Sequence, residues 1–290
     1  MVKLRKIAHR FATDVRKEGA GTHITRWFVP TDYEQTNPFL LFDETKSDKI
    51  EEYAGGFPEH PHRGFEAITY MLSGSLQHND SAGFSGHVGP LGAQWLCNAS
   101  GLTHDEIPDQ SDGLFWCMQL WINLPAKDKY STPFYNETNA EQTPLVSDSG
   151  GNEIRVIAGE YDNHRAQLPV IPRPSKPVYL DITLTGNAEF RYSLPEDFTV
   201  LLFIVEGTIN VGDDAATAGE VVLLDKAEHT VFSAEQPARC LLMAGQPIDE
   251  EIVWHGPFVM NSEAELEQAF TDFARFGPFR ADAGTGQNNG

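Results

Sequence analysis

The sequence predicts an all-β protein of two tandem jelly-roll β-barrels with a short C-terminal helix, and three observations predict it. First, most segments alternate β-branched or aromatic residues with polar ones, and Gly, Pro, Asn or Asp punctuates them every eight to twelve residues or so. Second, the two halves repeat one another. Thr69-Tyr-Met-Leu-Ser-Gly74-Ser-Leu followed by Gly92-Ala-Gln-Trp-Leu is answered by Leu202-Phe-Ile-Val-Glu-Gly207-Thr-Ile followed by Gly219-Glu-Val-Val-Leu. Each half reads strand, glycine turn, strand, loop, glycine turn, strand, which is how hairpins close a small barrel. Third, helical periodicity is scarce and is clearest over 262–275. There Ser262 and Glu265 form a capping box, Leu266, Ala269, Phe270 and Phe273 share a face, and Gly277-Pro278 stops the helix.

A chain of 290 residues exceeds what one core usually fills. Polar, turn-rich sequence over 135–152 marks the boundary. The expected domains are 1–140 and 141–290, the second carrying the helix and a disordered tail from about Ala281.

Composition narrows the function classes. A formal net charge of −21 opposes a phosphate backbone, so direct nucleic-acid binding is not expected. The first thirty residues are locally basic, with Lys3, Arg5, Lys6, Arg10, Arg16, Lys17 and Arg26 against Asp14 and Glu18. They contain no continuous apolar core for a signal peptide and read as a solvated strand. No apolar stretch is long enough to span a bilayer. Cys97, Cys117 and Cys240 lack metal-knuckle spacing and sit in apolar strands, as buried thiols of a reducing, cytoplasmic compartment would.

The chemistry concentrates in the first half. Successive strand side chains alternate faces, so His60 and His62 point the same way, as do His104 and Glu106. Two such pairs on neighbouring strands aim three imidazoles and a carboxylate at one point, where a divalent metal is held. Nitrogen donors with one carboxylate suit iron, nickel, copper, manganese, cobalt or zinc better than calcium or magnesium. Glu66 shares the parity of His60 and His62. It is a rival carboxylate ligand, or an outer acceptor that orients an imidazole. His78 and His87 are assigned to a solvated hairpin and left out. The second half offers Pro195-Glu-Asp-Phe-Thr where the first has its histidine pair. Only His229 follows, with Glu228 on the other face, so that barrel is expected to lack a metal.

The run Gly56-Phe-Pro-Glu-His60-Pro-His62-Arg-Gly-Phe-Glu66-Ala-Ile-Thr-Tyr70, followed by Gly101-Leu-Thr-His104-Asp-Glu106, resembles the pirin family of bicupins, or double cupins. So do Pro38-Phe-Leu-Leu-Phe-Asp43, Gln119-Leu-Trp-Ile-Asn-Leu-Pro125 and Gly256-Pro-Phe-Val-Met-Asn261, and the likeness spans almost the whole chain. The resemblance implies that His60, His62, His104 and Glu106 hold one Fe(II), that Glu66 lies outside the ligand set, and that the second cupin has no metal. Thr103 and Asp105 depart from the apolar or small residues common in the family, and strand parity turns Asp105 away from the metal.

The resemblance further implies a quercetin 2,3-dioxygenase-like oxidoreductase that opens a flavonol with dioxygen and releases carbon monoxide. In it Glu106 serves both as ligand and as catalytic proton acceptor. Phe57, Phe65, Trp95 and Met118 are near enough in sequence to line an aromatic pocket, but each taken singly reads first as ordinary barrel core, and only Phe57, beside the His60 turn, rises above that. The alternative implied by the family is a non-enzymatic, iron-dependent redox sensor that binds transcription or metabolic proteins. A sugar-phosphate isomerase on the same scaffold would need basic side chains by the metal, and only Arg63 is near.

Overall fold

The computed structural model describes residues 3–109, 113–169 and 171–276. Within them the chain is mostly β-strand and forms two compact units. One takes the chain up to Val15, Thr25–Asp43 and Thr138–Ile248. The other takes Arg16–Ile24, Glu44–Glu137 and the chain from Asp249.

The first unit faces a seven-stranded sheet with a four-stranded one. The larger has the order Ile7–Arg10, Val221–Leu224, Thr199–Glu206, Ala238–Gly245, Val178–Leu184, Glu153–Ala158, Leu145–Ser147. The smaller runs Ala188–Ser193, His229–Ala234, Thr208–Val211, Asp214–Thr217. Alternation puts one face of each sheet inside. Leu202, Ile204, Phe190, Ile209 and Phe232 meet there in one apolar cluster.

The second unit repeats this plan. Its four-stranded sheet runs Phe57–His62, Leu102–Pro108, Leu76–Asp80, Ser85–Val88. Opposite it stand Phe134–Thr138, Ala93–Cys97, Phe65–Ser73 and Phe115–Asn123. Three further segments, Phe39–Ser47, Thr22–Phe28 and Asp14–Glu18, each have residues in both units. Tyr53, Met71, Leu76, Val88, Phe115 and Cys117 fill one end of the interior.

A single cut near residue 140 does not describe these units. Ile7–Arg10 pairs antiparallel with Val221–Leu224, so the N-terminal strand belongs with the second barrel of the sequence. The C-terminal helix, Glu263–Phe276, buries Leu266 and Ala269 against Phe258 and Met260 and so belongs with the histidine-bearing barrel. Its cap departs slightly from the predicted box. The Ser262 hydroxyl accepts the Glu265 N–H at 3.3 Å, while the Glu265 carboxylate reaches back to the N–H of Asn261 at 3.1 Å. The predicted stop at Gly277-Pro278 and the tail from 281 lie outside the described residues. Cys97, Cys117 and Cys240 are buried and free of disulfides. Among the described residues no helix is long and apolar enough to cross a membrane.

Candidate metal centre

Antiparallel pairing builds the site from two strands that share a register. His104 stands opposite His60, and Leu102 opposite His62. A register irregularity between His104 and Glu106 then sets Glu106 opposite Phe57. The imidazoles of His60, His62 and His104 consequently converge, with ring centroids 4.4 to 5.1 Å apart. Their candidate donor atoms all lie within 4.8 Å of one another. A second group within the same span joins His104 and Glu106 to His78, so His104 is the member common to both. Asp105 points outward, as strand parity predicts, and accepts the Asn79 amide at 3.1 Å.

Hydrogen bonding assigns the protons. A backbone carbonyl only accepts, so each ring nitrogen facing one carries the proton. His60 Nδ1 donates to Pro58 O at 2.9 Å, and His62 Nδ1 to Pro257 O at 3.3 Å. Both rings therefore keep the Nε2 lone pair for a ligand. His104 Nδ1 lies 3.5 Å from His78 Nδ1, and its buried Nε2 has no hydrogen-bond partner among the described residues. Burial, and then the neighbouring imidazoles, holds His62 and His104 well below the ordinary histidine value of 6.5. Neutral imidazoles are what a divalent cation requires. An orphaned buried nitrogen inside a three-histidine cluster, with a carboxylate adjoining one of them, fits such a cation well.

The carboxylate of Glu106 enters from the four-stranded sheet and meets a polar row on the sheet opposite. Thr69 pairs with Gln94 on one side and Gln119 on the other, so all three face the same interior. Gln119 Nε2 donates to Glu106 Oε2 at 2.9 Å. Gln94 Nε2 and, at 3.4 Å, the Thr69 hydroxyl donate to Oε1. Behind Gln94, the Tyr135 hydroxyl lies 2.6 Å from Glu137 Oε2 and 3.2 Å from Gln94 Oε1. Cys117 lies two residues before Gln119 on the same strand face. Burial pushes its thiol up to about 12, so it offers no thiolate near neutral pH.

Several expectations are corrected by strand geometry. Glu66 is fully buried, but it sits opposite Cys97 and Ile122, on the face away from Thr69 and Phe65. Parity with His60 is lost because the Phe57–His62 strand ends before Arg63-Gly64, and Gly64, at φ +89°, leads into the Phe65–Ser73 strand of the other sheet. Trp95 and Met118 are fully buried on that same side, away from Thr69 and Gln119, in keeping with the core reading of each. His78 is not in a solvated turn. It is buried on the Leu76–Asp80 strand, opposite Glu106. Its isolation from the two histidine pairs in sequence hid it, and only its alternation with the exposed Gln77 and Asn79 signalled an inward face. His87 is solvent-facing, 2.7 Å from Asp109.

Phe57 is half-buried, its ring centroid 6.1 Å from that of His60. Phe65 lies edge-on to His62 at 5.0 Å and stacks on Trp121 at 4.0 Å. Trp121, which sequence reading gave no role, is itself 4.9 Å from the His62 ring, and its indole N–H donates to Gln119 Oε1 at 3.0 Å. Arg63 is committed elsewhere. It donates to Ser100 O at 2.7 Å and to Asp272 of the C-terminal helix at 2.9 Å. In the second barrel, His229 Nδ1 lies 2.9 Å from the Ser193 hydroxyl.

Known proteins agree with this architecture. Residues 21–122 match the family model described as Pirin, and residues 179–279 match Pirin C-terminal cupin domain. A pirin-like protein of Caulobacter vibrioides is 38% identical over 258 residues, covering 89% of this chain and 93% of its own. Pirin-1 of Arabidopsis thaliana is 34% identical over 278 residues, 93% of each chain. The crystal structure of a quercetin 2,3-dioxygenase from Acinetobacter baumannii aligns with a TM-score of 0.85 at 30% identity, over 95% of this chain and 99% of that one. The chain belongs to the pirin family of double-cupin proteins.

Proposed function

We propose that His60, His62, His104 and Glu106 hold one divalent metal, Fe(II), and that the chain is a metal-dependent dioxygenase opening flavonols such as quercetin with release of carbon monoxide. The observation that carries the metal site is the buried Nε2 of His104, which no described protein group satisfies, in a cluster with the imidazoles of His60 and His62. The likeness to a quercetin 2,3-dioxygenase supports the reaction class.

When bound, the metal would supply a Lewis acid for the flavonol 3-hydroxyl oxygen and redox chemistry for dioxygen. The chain's own residues do the rest. Glu106 accepts the 3-hydroxyl proton, and the Gln94 and Gln119 amides keep its oxygens oriented while it does so. Phe57, Phe65 and Trp121 give a flat aromatic substrate apolar surfaces beside the histidines. Arg63, bound to Asp272 and Ser100, has no guanidinium edge set aside for a phosphate, which disfavours a sugar-phosphate isomerase. Buried cysteines that form no disulfide fit a reducing, cytoplasmic setting.

The test is anaerobic reconstitution with iron, nickel, copper, manganese, cobalt and zinc separately, followed by quercetin loss and carbon monoxide release in air. Turnover is expected with iron and is expected to vanish in His62→Ala. Turnover that survives that substitution would sink the dioxygenase reading. Stoichiometric metal binding without turnover under any metal would favour the regulatory partner instead.

A further inference from the structure

We infer that Asp80 and His78 form a proton-ordering relay that fixes the tautomer of His104 and so determines which of its nitrogens faces the metal. The inference rests on the metal-site reading above and adds two residues to it.

Each link is defined by what its neighbour can do. The Asp80 side chain is fully buried. Its Oδ1 accepts the backbone N–H groups of Ala82 at 2.9 Å and Phe84 at 3.0 Å, and its Oδ2 faces His78 Nε2 at 3.1 Å. An ionised carboxylate only accepts, so His78 carries its proton on Nε2 and keeps a lone pair on Nδ1. The His78 ring cannot readily turn to offer the other edge, because it stacks on Tyr135 at 4.3 Å with 11° between planes. His78 Nδ1 in turn faces His104 Nδ1 at 3.5 Å, a long contact that only an N–H on His104 makes favourable. With its proton on Nδ1, His104 is left with a bare Nε2, the same buried atom that lacks a partner.

His78, His104 and Glu106 also lie within metal-binding distance of one another. An ion placed there would use His104 Nδ1 and leave the buried Nε2 unsatisfied. The relay satisfies both nitrogens, so His78 is assigned as a positioning residue and not as a ligand. It lengthens the familiar carboxylate–histidine–metal arrangement by one imidazole.

Asp80→Asn tests the direction of this chain with almost no change of shape. The two backbone N–H groups require an oxygen, so the new amide must turn its NH2 toward His78. His78 Nε2 then has to accept, Nδ1 becomes the donor, and His104 is driven to carry its proton on Nε2, where the metal should bind. Nitrogen-15 NMR of histidine-labelled, metal-free protein reads this directly. The expected wild-type pattern is Nδ1–H on His104 and Nε2–H on His78, with both reversed in Asp80→Asn. A wild-type His104 protonated on Nε2 would overturn the inference whether or not the metal reading stands.

Competition of Co(II) against a chromogenic chelator gives the second readout. Asp80→Asn should bind on the order of 10- to 100-fold more weakly than wild type, the usual cost of losing an outer hydrogen-bond partner of a ligand. His78→Gln, which can still accept from His104 and donate to Asp80, should bind better than His78→Leu, which can do neither. These two variants decide the matter if Asp80→Asn does not fold. Equal affinity of His78→Gln, His78→Leu and wild type would overturn the relay alone, and a wild type that takes up no cobalt would overturn the metal reading.

Discussion

Gln119 holds Glu106 by one end of its amide and Trp121 by the other. Its Nε2 donates to the carboxylate at 2.9 Å, and its Oε1 accepts the indole N–H at 3.0 Å. The indole can only donate, so the amide cannot flip without breaking both bonds. Gln119→Leu should therefore lower metal affinity and quercetin turnover by about 10- to 100-fold. Gln119→Glu, which sets a second carboxylate against Glu106, should lose more. Paired measurements of metal affinity and kcat on the reconstituted variants check this ordering.

The metal-free protein should lose stability as pH falls below about 6.5. Unfolded, His62 and His104 take up protons near that ordinary value, while burial keeps the folded chain from doing so until well below it. In that window the unfolded state binds more protons, so the stabilisation is fully present above 6.5 and is lost on acidification. Urea midpoints of the metal-free chain at pH 7.5, 6.5 and 5.5 measure the slope. The double variant His62→Gln with His104→Gln should flatten it.

Lys129 is fully buried and spends its ammonium on three acceptors, Gly64 O at 2.6 Å, Asn123 Oδ1 at 2.7 Å and Val259 O at 2.9 Å. These tie together the turn after His62, the strand of Gln119 and the segment before the C-terminal helix. Lys129→Met keeps the stem but leaves three buried acceptors unpaired, at a cost of about 3 kcal/mol or more. Denaturant unfolding with an unchanged m-value would show it as a shifted midpoint.

Gly64 adopts φ +89°, and a Cβ there would overlap Val259 O. Gly64→Ala should cost about 2–3 kcal/mol from backbone strain and displacement of that carbonyl. It should also weaken metal binding, since His62 donates to Pro257 O two residues earlier in the displaced segment. Calorimetry and metal titration of the same preparation test both effects.

The sequence by itself determined the strands, the repeat and the two pairs His60 with His62 and His104 with Glu106, because the pleat of one strand fixes which side chains share a face over two residues. It could not carry that parity through Gly64, where the chain leaves one sheet for another, and so it misplaced Glu66. Nor could it place Thr69, Gln94 and Gln119 around Glu106, or see that pairing with Glu106 buries His78. Those relations depend on register between strands and on the packing of one sheet over another, which hairpin lengths, bulges and side-chain volumes decide jointly. The same physics moved the N-terminal strand and the C-terminal helix out of the halves in which sequence order had placed them. Local periodicity named residues that the fold brings together. Tertiary packing decided which nitrogen of each histidine is turned inward.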